Sequence, residues 1–239
     1  MGQSYFIWKN KDCRSMGVRL SGPVSIVRPE ERVNHVQIPG RSGDMTETEG
    51  TDIFNSYIQT ATIMVKGGYR VREVYNWLKG SGFVTFSGEP DRKQAARIIG
   101  AITLNRHSYN LDWWTGEVQF YCQPLKQLLA EAPVTITSSG ASVRNNGDVT
   151  CRPMWKVTVA TGKTSITLAA GGKTITVTGL TAGSAYYIDS DTMEVWNSDK
   201  TALITVNSTG DFPVLEPGAN TVTGSDWSSV EIEKRERYL

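Results

Sequence analysis

The chain has 239 residues, with 25 Lys or Arg against 24 Asp or Glu and a formal net charge of +1. Balanced charge without a basic tail argues against a dedicated nucleic-acid binder, and apolar runs such as Ala95-Ala96 and Ile98-Ile99 are far too short for a transmembrane helix. The length suits one large β domain or two smaller ones, either able to bury a core.

The first eight residues lack the charged and apolar segments of a signal peptide. Phe6 stands where an acylation pattern wants Ser or Thr, so myristoylation of Gly2 is not expected either. Cys13, Cys122 and Cys151 are odd in number and have no CxxC spacing. That disfavours a disulfide framework or a zinc site and suits small apolar residues in a reducing compartment.

Residues 5–8 read as a short aromatic strand and 13–20 as a second, with Met16, Val18 and Leu20 on one face. Residues 30–38 alternate, with Glu31, Val33, His35 and Gln37 against Arg32, Asn34, Val36 and Ile38. Ile38-Pro39-Gly40-Arg41-Ser42-Gly43-Asp44 ends the alternation. Pro39 fixes its own φ and pushes Ile38 to an extended conformation, while Gly40 and Gly43 permit positive φ or the close approach of another backbone. Spacing alone favours an ordinary hairpin tip with a solvated Arg41. An arginine held on a stiff turn can also reach a partner.

Residues 45–51, rich in Thr and Glu, read as an exposed loop, and 53–66 as an extended segment favoured by β-branched Ile58, Ile63 and Val65. The spacing of Val71, Val74, Tyr75 and Leu78 predicts a helix over about 69–80, stopped by Gly80. Strands follow at 83–86, 95–105 and 109–121, with Val118, Phe120 and Cys122 inward; Gln123-Pro124-Leu125-Lys126 is expected to end the alternation.

From Val134 onward Thr, Ser, Gly and Val dominate. Short strands are expected at 134–137, 142–145, 154–159, 165–168, 173–178, 185–189, 194–197, 203–205, 220–224 and 229–234. Turn signals such as Asn145-Asn146-Gly147-Asp148 and Ala170-Gly171-Gly172 lie between them, a pattern that means an antiparallel sandwich. The expected fold class is therefore mainly β: a sandwich or barrel-like first domain over residues 1–128 with one helix, then a β-sandwich over 129–239.

Groups that could carry catalysis do not assemble in the sequence. His35 and His107 lie near no nucleophile elbow and read as sheet histidines. Asp189, Asp191 and Glu194 lack the glycine and terminal glutamate of a calcium loop and read as an acidic turn. Glu89 and Asp91 flank a proline and read as solvated. Gly67-Gly68 and Gly171-Gly172 lack the Lys-Ser/Thr of a phosphate loop. Of Trp113 and Trp114, neighbours on one strand, at most one can join a stacking platform. No metal and no cofactor is expected, which leaves binding or assembly.

Several motifs in order resemble the distal tail protein (Dit) family of long-tailed, non-contractile bacteriophages. They are Ser15-Met16-Gly17-Val18, then Arg32 followed by Ile38-Pro39-Gly40-Arg41-Ser42-Gly43, then Trp77-Leu78-Lys79-Gly80 and Phe120-Tyr121-Cys122-Gln123-Pro124. In the second half come Asn145-Asn146-Gly147-Asp148 with Pro153-Met154-Trp155, then Tyr187-Ile188-Asp189-Ser190-Asp191 with Val195-Trp196, and Phe212-Pro213-Val214-Leu215-Glu216-Pro217-Gly218. Asn146 departs only from the Asn-Pro-Gly form of the motif that the family resemblance leads one to expect there; Asn145-Asn146-Gly147 fits its Asn-x-Gly form.

The resemblance implies a structural hub and no enzyme. It implies a homohexameric ring at the virion tail tip, assembled in the host cytoplasm, whose N-terminal domains surround a channel for DNA. The C-terminal domains would be galectin-like. The implied partners are further copies of the chain, the tail-tube protein, the tail-associated tip protein and receptor-binding proteins, without sequence-specific nucleic acid or membrane insertion. It makes Ile38, Pro39, Gly40, Arg41 and Gly43 a candidate inter-subunit loop. The alternative is a carbohydrate-binding module contacting host cell-wall glycans through exposed Trp196 and Trp227.

Overall fold

The computed structural model describes residues 4–48, 50–107 and 112–239. The chain divides into two compact units, Met1–Leu129 with Leu239, and Ala130–Tyr238.

The first unit is built on one antiparallel sheet. Its strands are β1 (Phe6–Trp8), β2 (Lys11–Asp12), β3 (Val18–Leu20), β6 (Tyr57–Lys66), β7 (Ser81–Phe86), β8 (Arg92–Ile99) and β10 (Trp113–Leu128), in the order β2-β1-β7-β8-β10-β6-β3. A short β9 (Asn105–Arg106) also pairs with β10, and β4 (Val33–Val36) with β5 (Met45–Thr48) forms a separate two-stranded sheet. Alternation puts Ala61, Ile63 and Val65 of β6 and Val118, Phe120 and Cys122 of β10 on the buried face. Phe120 is the hub of an aromatic cluster, with the rings of Phe6, Trp8 and Phe86 edge-on to it at 5.3–5.6 Å.

The single described α-helix, α1 (Val71–Trp77), is shorter than the predicted 69–80. Residues Gly68–Arg70 form a 3-10 turn instead, with the Gly68 N–H held by the Asp112 carboxylate at 2.9 Å. At the other end the Leu78 N–H makes the last helical bond, to the Val74 carbonyl, after which Leu78 leaves helical angles and the Lys79 N–H turns to the Trp77 carbonyl. Val74 and Leu78 are buried as the stripe requires, and Trp77 stacks on Phe6 at 5.6 Å; Tyr75 remains 37% exposed.

Beyond the helix, four expectations for this unit are corrected. The strand expected over 13–20 is a 3-10 turn at Cys13–Met16 followed by β3. Residues 45–48 are a strand, not a loop: β4 needs a partner for its backbone groups, and an exposed ribbon shows no apolar alternation that would betray it. Pro124 does not end β10, because the pairing with β8 shifts register between Cys122 and Lys126 and the proline falls in that irregularity. The strand expected over 95–105 is β8 at Arg92–Ile99, after which residues 100–104 join no sheet. Of the strand expected over 109–121, residues 109–111 lie outside the described residues.

The second unit packs two five-stranded antiparallel sheets. One contains β11 (Val134–Ile136), β13 (Met154–Val159), β16 (Ala185–Asp189), β17 (Glu194–Trp196) and β20 (Trp227–Glu233), in the order β11-β20-β13-β16-β17. The other contains β12 (Ala141–Asn145), β14 (Ser165–Ala170), β15 (Lys173–Thr178), β18 (Ser208–Gly210) and β19 (Gly218–Ser225), in the order β12-β19-β14-β15-β18. Trp155, Val157, Ile188 and Ile232 from the first meet Val143, Leu168, Val177 and Val222 from the second in one core.

A strand expected over 203–205 is absent. Leu203 makes only an isolated bridge to Trp196, and the Thr205 hydroxyl takes the Val195 N–H at 2.9 Å in place of a ladder carbonyl. The unexpected β18 carries no large apolar residue and pairs through its backbone with β15. Asn146, where the Asn-Pro-Gly form would place proline, donates its backbone N–H to the Glu236 carboxylate at 2.9 Å, a bond that proline could not make.

Candidate assembly surface

The hairpin of β4 and β5 contributes no residue to either hydrophobic core. Its register runs from Val33 opposite Thr48 to Val36 opposite Met45. At its root, Arg32 N–H donates to the Ile53 carbonyl at 2.9 Å and Asn55 N–H to the Glu30 carbonyl at 2.8 Å, so the ladder continues past the named strands. Beyond the half-buried Val33, every described residue from 34 to 48 is exposed. Val36, Ile38 and Met45 are 43%, 39% and 42% exposed. A lone two-stranded ribbon is marginal in water, and exposed apolar side chains gathered on one mark a contact surface.

The structure brings the predicted loop residues together at the tip. Arg41 N–H donates to the Ile38 carbonyl at 3.1 Å across Pro39 and Gly40, whose φ is +81°. Pro followed by a positive-φ glycine is a type II turn. Gly43 also has φ +81°, and a Cβ on either glycine would meet nothing within 4 Å. Backbone angle, not close packing within the chain, therefore explains both glycines. The turn leaves Arg41 and Asp44 exposed, without an ion pair among the described residues.

The remaining charged and aromatic candidates are engaged in the fold. Asp189 is held by Arg235 through two bonds of 2.8 and 3.0 Å and accepts the Asp191 N–H. Burial pushes its carboxyl pKa up, but the guanidinium and the N–H donors more than offset this and hold it below the usual carboxylate value. Glu194 accepts from the Thr192 hydroxyl and the Trp196 indole N–H. Glu89 is not simply solvated: it pairs with Arg92 at 2.9 Å and with the nearly buried Lys126 at 2.7 Å. His35 lies on β4, 3.5 Å from the Thr46 hydroxyl, and His107 is exposed. Trp114 packs against the first core, while Trp113 lies under the Lys66 ammonium. All three cysteines are buried and free; burial pushes the thiols of Cys122 and Cys151 to about 12.

The two tryptophans of the glycan alternative separate. Trp196 is half-buried on the outer face of its sheet, next to Tyr187, whose ring is covered by the Lys200 ammonium at 4.2 Å. Trp227 is not exposed as expected: it faces the second core at 9% exposure, because the pairing with β13 shifts register between Thr158 and Val159 and this irregularity turns Trp227 to the same side as Val230 and Ile232.

One cluster escaped the sequence reading. Lys234 is buried between Glu236, which it bonds, and Glu131 at 3.9 Å; Glu236 also accepts the Tyr238 hydroxyl at 2.7 Å. Burial, then the neighbouring Glu236 charge, raises the pKa of Glu131. For Glu236 burial acts upward too, but the Asn146 N–H, Lys234 and the Tyr238 hydroxyl prevail and lower it. Only i,i+2 spacing of Lys234 and Glu236 signalled this in the sequence, and such pairs are common on surfaces.

Residues 146–238 match the family described as siphovirus-type tail component, C-terminal domain (SPP1_Dit). The whole fold is similar to the crystal structure of SPP1 Dit, described as a paradigm of the hub adsorption apparatus in phages that infect Gram-positive hosts. That likeness covers 100% of each chain, with a TM-score of 0.76 and 18% sequence identity. No curated protein matches the sequence. The family resemblance drawn from the ordered motifs and the mainly β fold class are both borne out.

Proposed function

We propose that this chain, whose C-terminal unit is a siphovirus-type tail component domain and whose fold throughout is that of Dit, is the structural hub of a phage tail tip. In this reading six copies form a ring that joins the tail tube to the tip and receptor-binding proteins and leaves a channel for DNA. The C-terminal sandwich is galectin-like and projects outward as a scaffold. The exposed arm carries the reading: it is ordered at its root, exposes Val36, Ile38 and Met45 on an otherwise polar ribbon and is finished by a rigid turn, as a device for reaching a neighbouring subunit should be. Ile38, Pro39, Gly40, Arg41 and Gly43 form its contact loop.

The test is self-association of the full chain, alone and with the tail-tube protein, by native mass spectrometry and light scattering. A closed cyclic oligomer is expected. A chain that stays monomeric and binds neither tail-tube nor tip protein would sink the hub reading. The near-neutral charge makes the channel a passive conduit, so a salt-sensitive shift of DNA at physiological ionic strength counts against it. The glycan alternative retains only Trp196 of its two tryptophans, and binding of wall polysaccharide on a glycan array, lost in Trp196→Ala, would revive it.

A further inference from the structure

Two hollows of about 410 and 420 Å³ meet at Gly100 in the first unit. They exist because β8 stops at Ile99, Gly100 turns the chain at φ +69°, and residues 101–104 join no sheet. The Tyr75 hydroxyl, left outside the core, takes the Leu104 N–H at 3.2 Å and walls the first hollow. Its floor is Leu78, Ile98 and Ile102, and Lys79 stands at its edge. The Lys9 ammonium, bonded to the Lys79 carbonyl, adds positive charge on that side. The second hollow is polar, lined by Thr103, Asn105, Gln119 and the exposed carboxylate of Glu117.

The arm's tip is the complement of this pair. It carries apolar Val36, Ile38 and Met45, with Arg41 and Asp44 three residues apart. Neither Lys79 nor Glu117 has an ion pair among the described residues, and the same holds for Arg41 and Asp44. We propose, building on the ring reading above, that the tip seats in these hollows on the next copy of the chain. Ile38 enters the apolar hollow, Arg41 pairs with the neighbouring copy's Glu117, and Asp44 pairs with the neighbouring copy's Lys79. Opposite charges at both ends fix the direction of docking as well as its strength.

The arm and the hollows lie at different places along the sheet. The arm precedes β6, which begins at Tyr57 opposite Cys122, whereas Glu117 lies opposite Thr62. Five residues of strand, about 17 Å, separate the two positions. A knob and a hole at separate places on one subunit make a head-to-tail contact, which closes into a ring when the rotation permits.

Charge reversal tests this in the full-length chain. Arg41→Glu and Glu117→Arg should each raise the concentration for half-assembly by about tenfold or more, and the double variant should recover most of the loss. Asp44→Lys with Lys79→Glu should behave likewise, with melting temperatures unchanged throughout at concentrations too low for assembly, because all four side chains are exposed. Independently, Ile38→Cys with Ile102→Cys should give a ladder of disulfide-linked oligomers under oxidation. If wild type forms rings while the single reversals assemble normally and the cysteine pair gives no ladder, the docking site is wrong and the ring reading stands. If wild type forms no ring even with the tail-tube protein, the ring reading fails first.

Discussion

The C-terminal sandwich and the β4–β5 arm are both antiparallel β-structure, yet their stability has different sources. On β13 and β14 of the sandwich, Trp155, Val157 and Leu168 are completely buried. Each buried aliphatic or aromatic side chain of this kind is worth about 1.5–3 kcal/mol. On the arm, Val36, Ile38 and Met45 keep around two-fifths of their surface in water, and the ribbon rests on main-chain bonds and its root. The sandwich is complete by itself. The arm holds its apolar surface in reserve for association, so substitutions in the two regions should fail in opposite ways.

The largest effect on folding is expected from Trp155→Ala, which empties a fully buried site and removes the indole donor to the Ser190 hydroxyl. A loss of about 3–5 kcal/mol in chemical denaturation is expected, without any direct change at the assembly surface. Next comes Arg235→Ala, which leaves the Asp189 carboxylate buried without its cation and should cost about 3 kcal/mol.

The buried Glu131–Lys234–Glu236 cluster gives a smaller, pH-dependent effect. Glu236 and Asp189 have lowered folded-state pKa values, so their stabilisation is present above the ordinary carboxylate range and lost as pH falls through the folded values. Glu131 is raised, so its contribution is present below its unfolded value and lost as pH rises through the folded one. Glu131→Gln should therefore raise the melting temperature at neutral pH and change little in acid, as a melting series across pH would record. An equal shift at every pH would mean that the charge of Glu131 is irrelevant.

The smallest effect on folding belongs to the arm. Arg41→Ala should move the stability of the unassembled chain by no more than about 0.5 kcal/mol, as for an ordinary surface residue, while ring formation and tail incorporation are lost. If both survive the substitution, the tip is only a turn and the contrast between the two regions collapses.

The sandwich was legible because burial writes itself into alternation: Trp155, Val157 and Val159 betray β13 directly. The tip was legible through Pro39 and Gly40, whose backbone demands are local. By contrast, β5 and β18 were missed because strands held by backbone pairing carry no apolar phase. The predicted helix outruns α1 because the start of α1 depends on the distant Asp112 carboxylate, which accepts the Gly68 N–H, and its end on the backbone turn at Leu78, neither of which the spacing shows. Trp227 was assigned to the surface because a lone tryptophan between Asp226 and Ser228 gives no sign of its inward phase. Neither Glu117 nor Lys79 stood out, since a groove exists only once β8 has ended at Ile99 and Tyr75 has left the core.

Native mass spectrometry of the full-length chain, titrated alone and with the tail-tube protein, tests the hub most directly. A closed ring of six copies that Arg41→Ala prevents from forming is the expected result. A wild-type chain that remains monomeric at high concentration and binds neither the tail-tube protein nor the tip protein would contradict it.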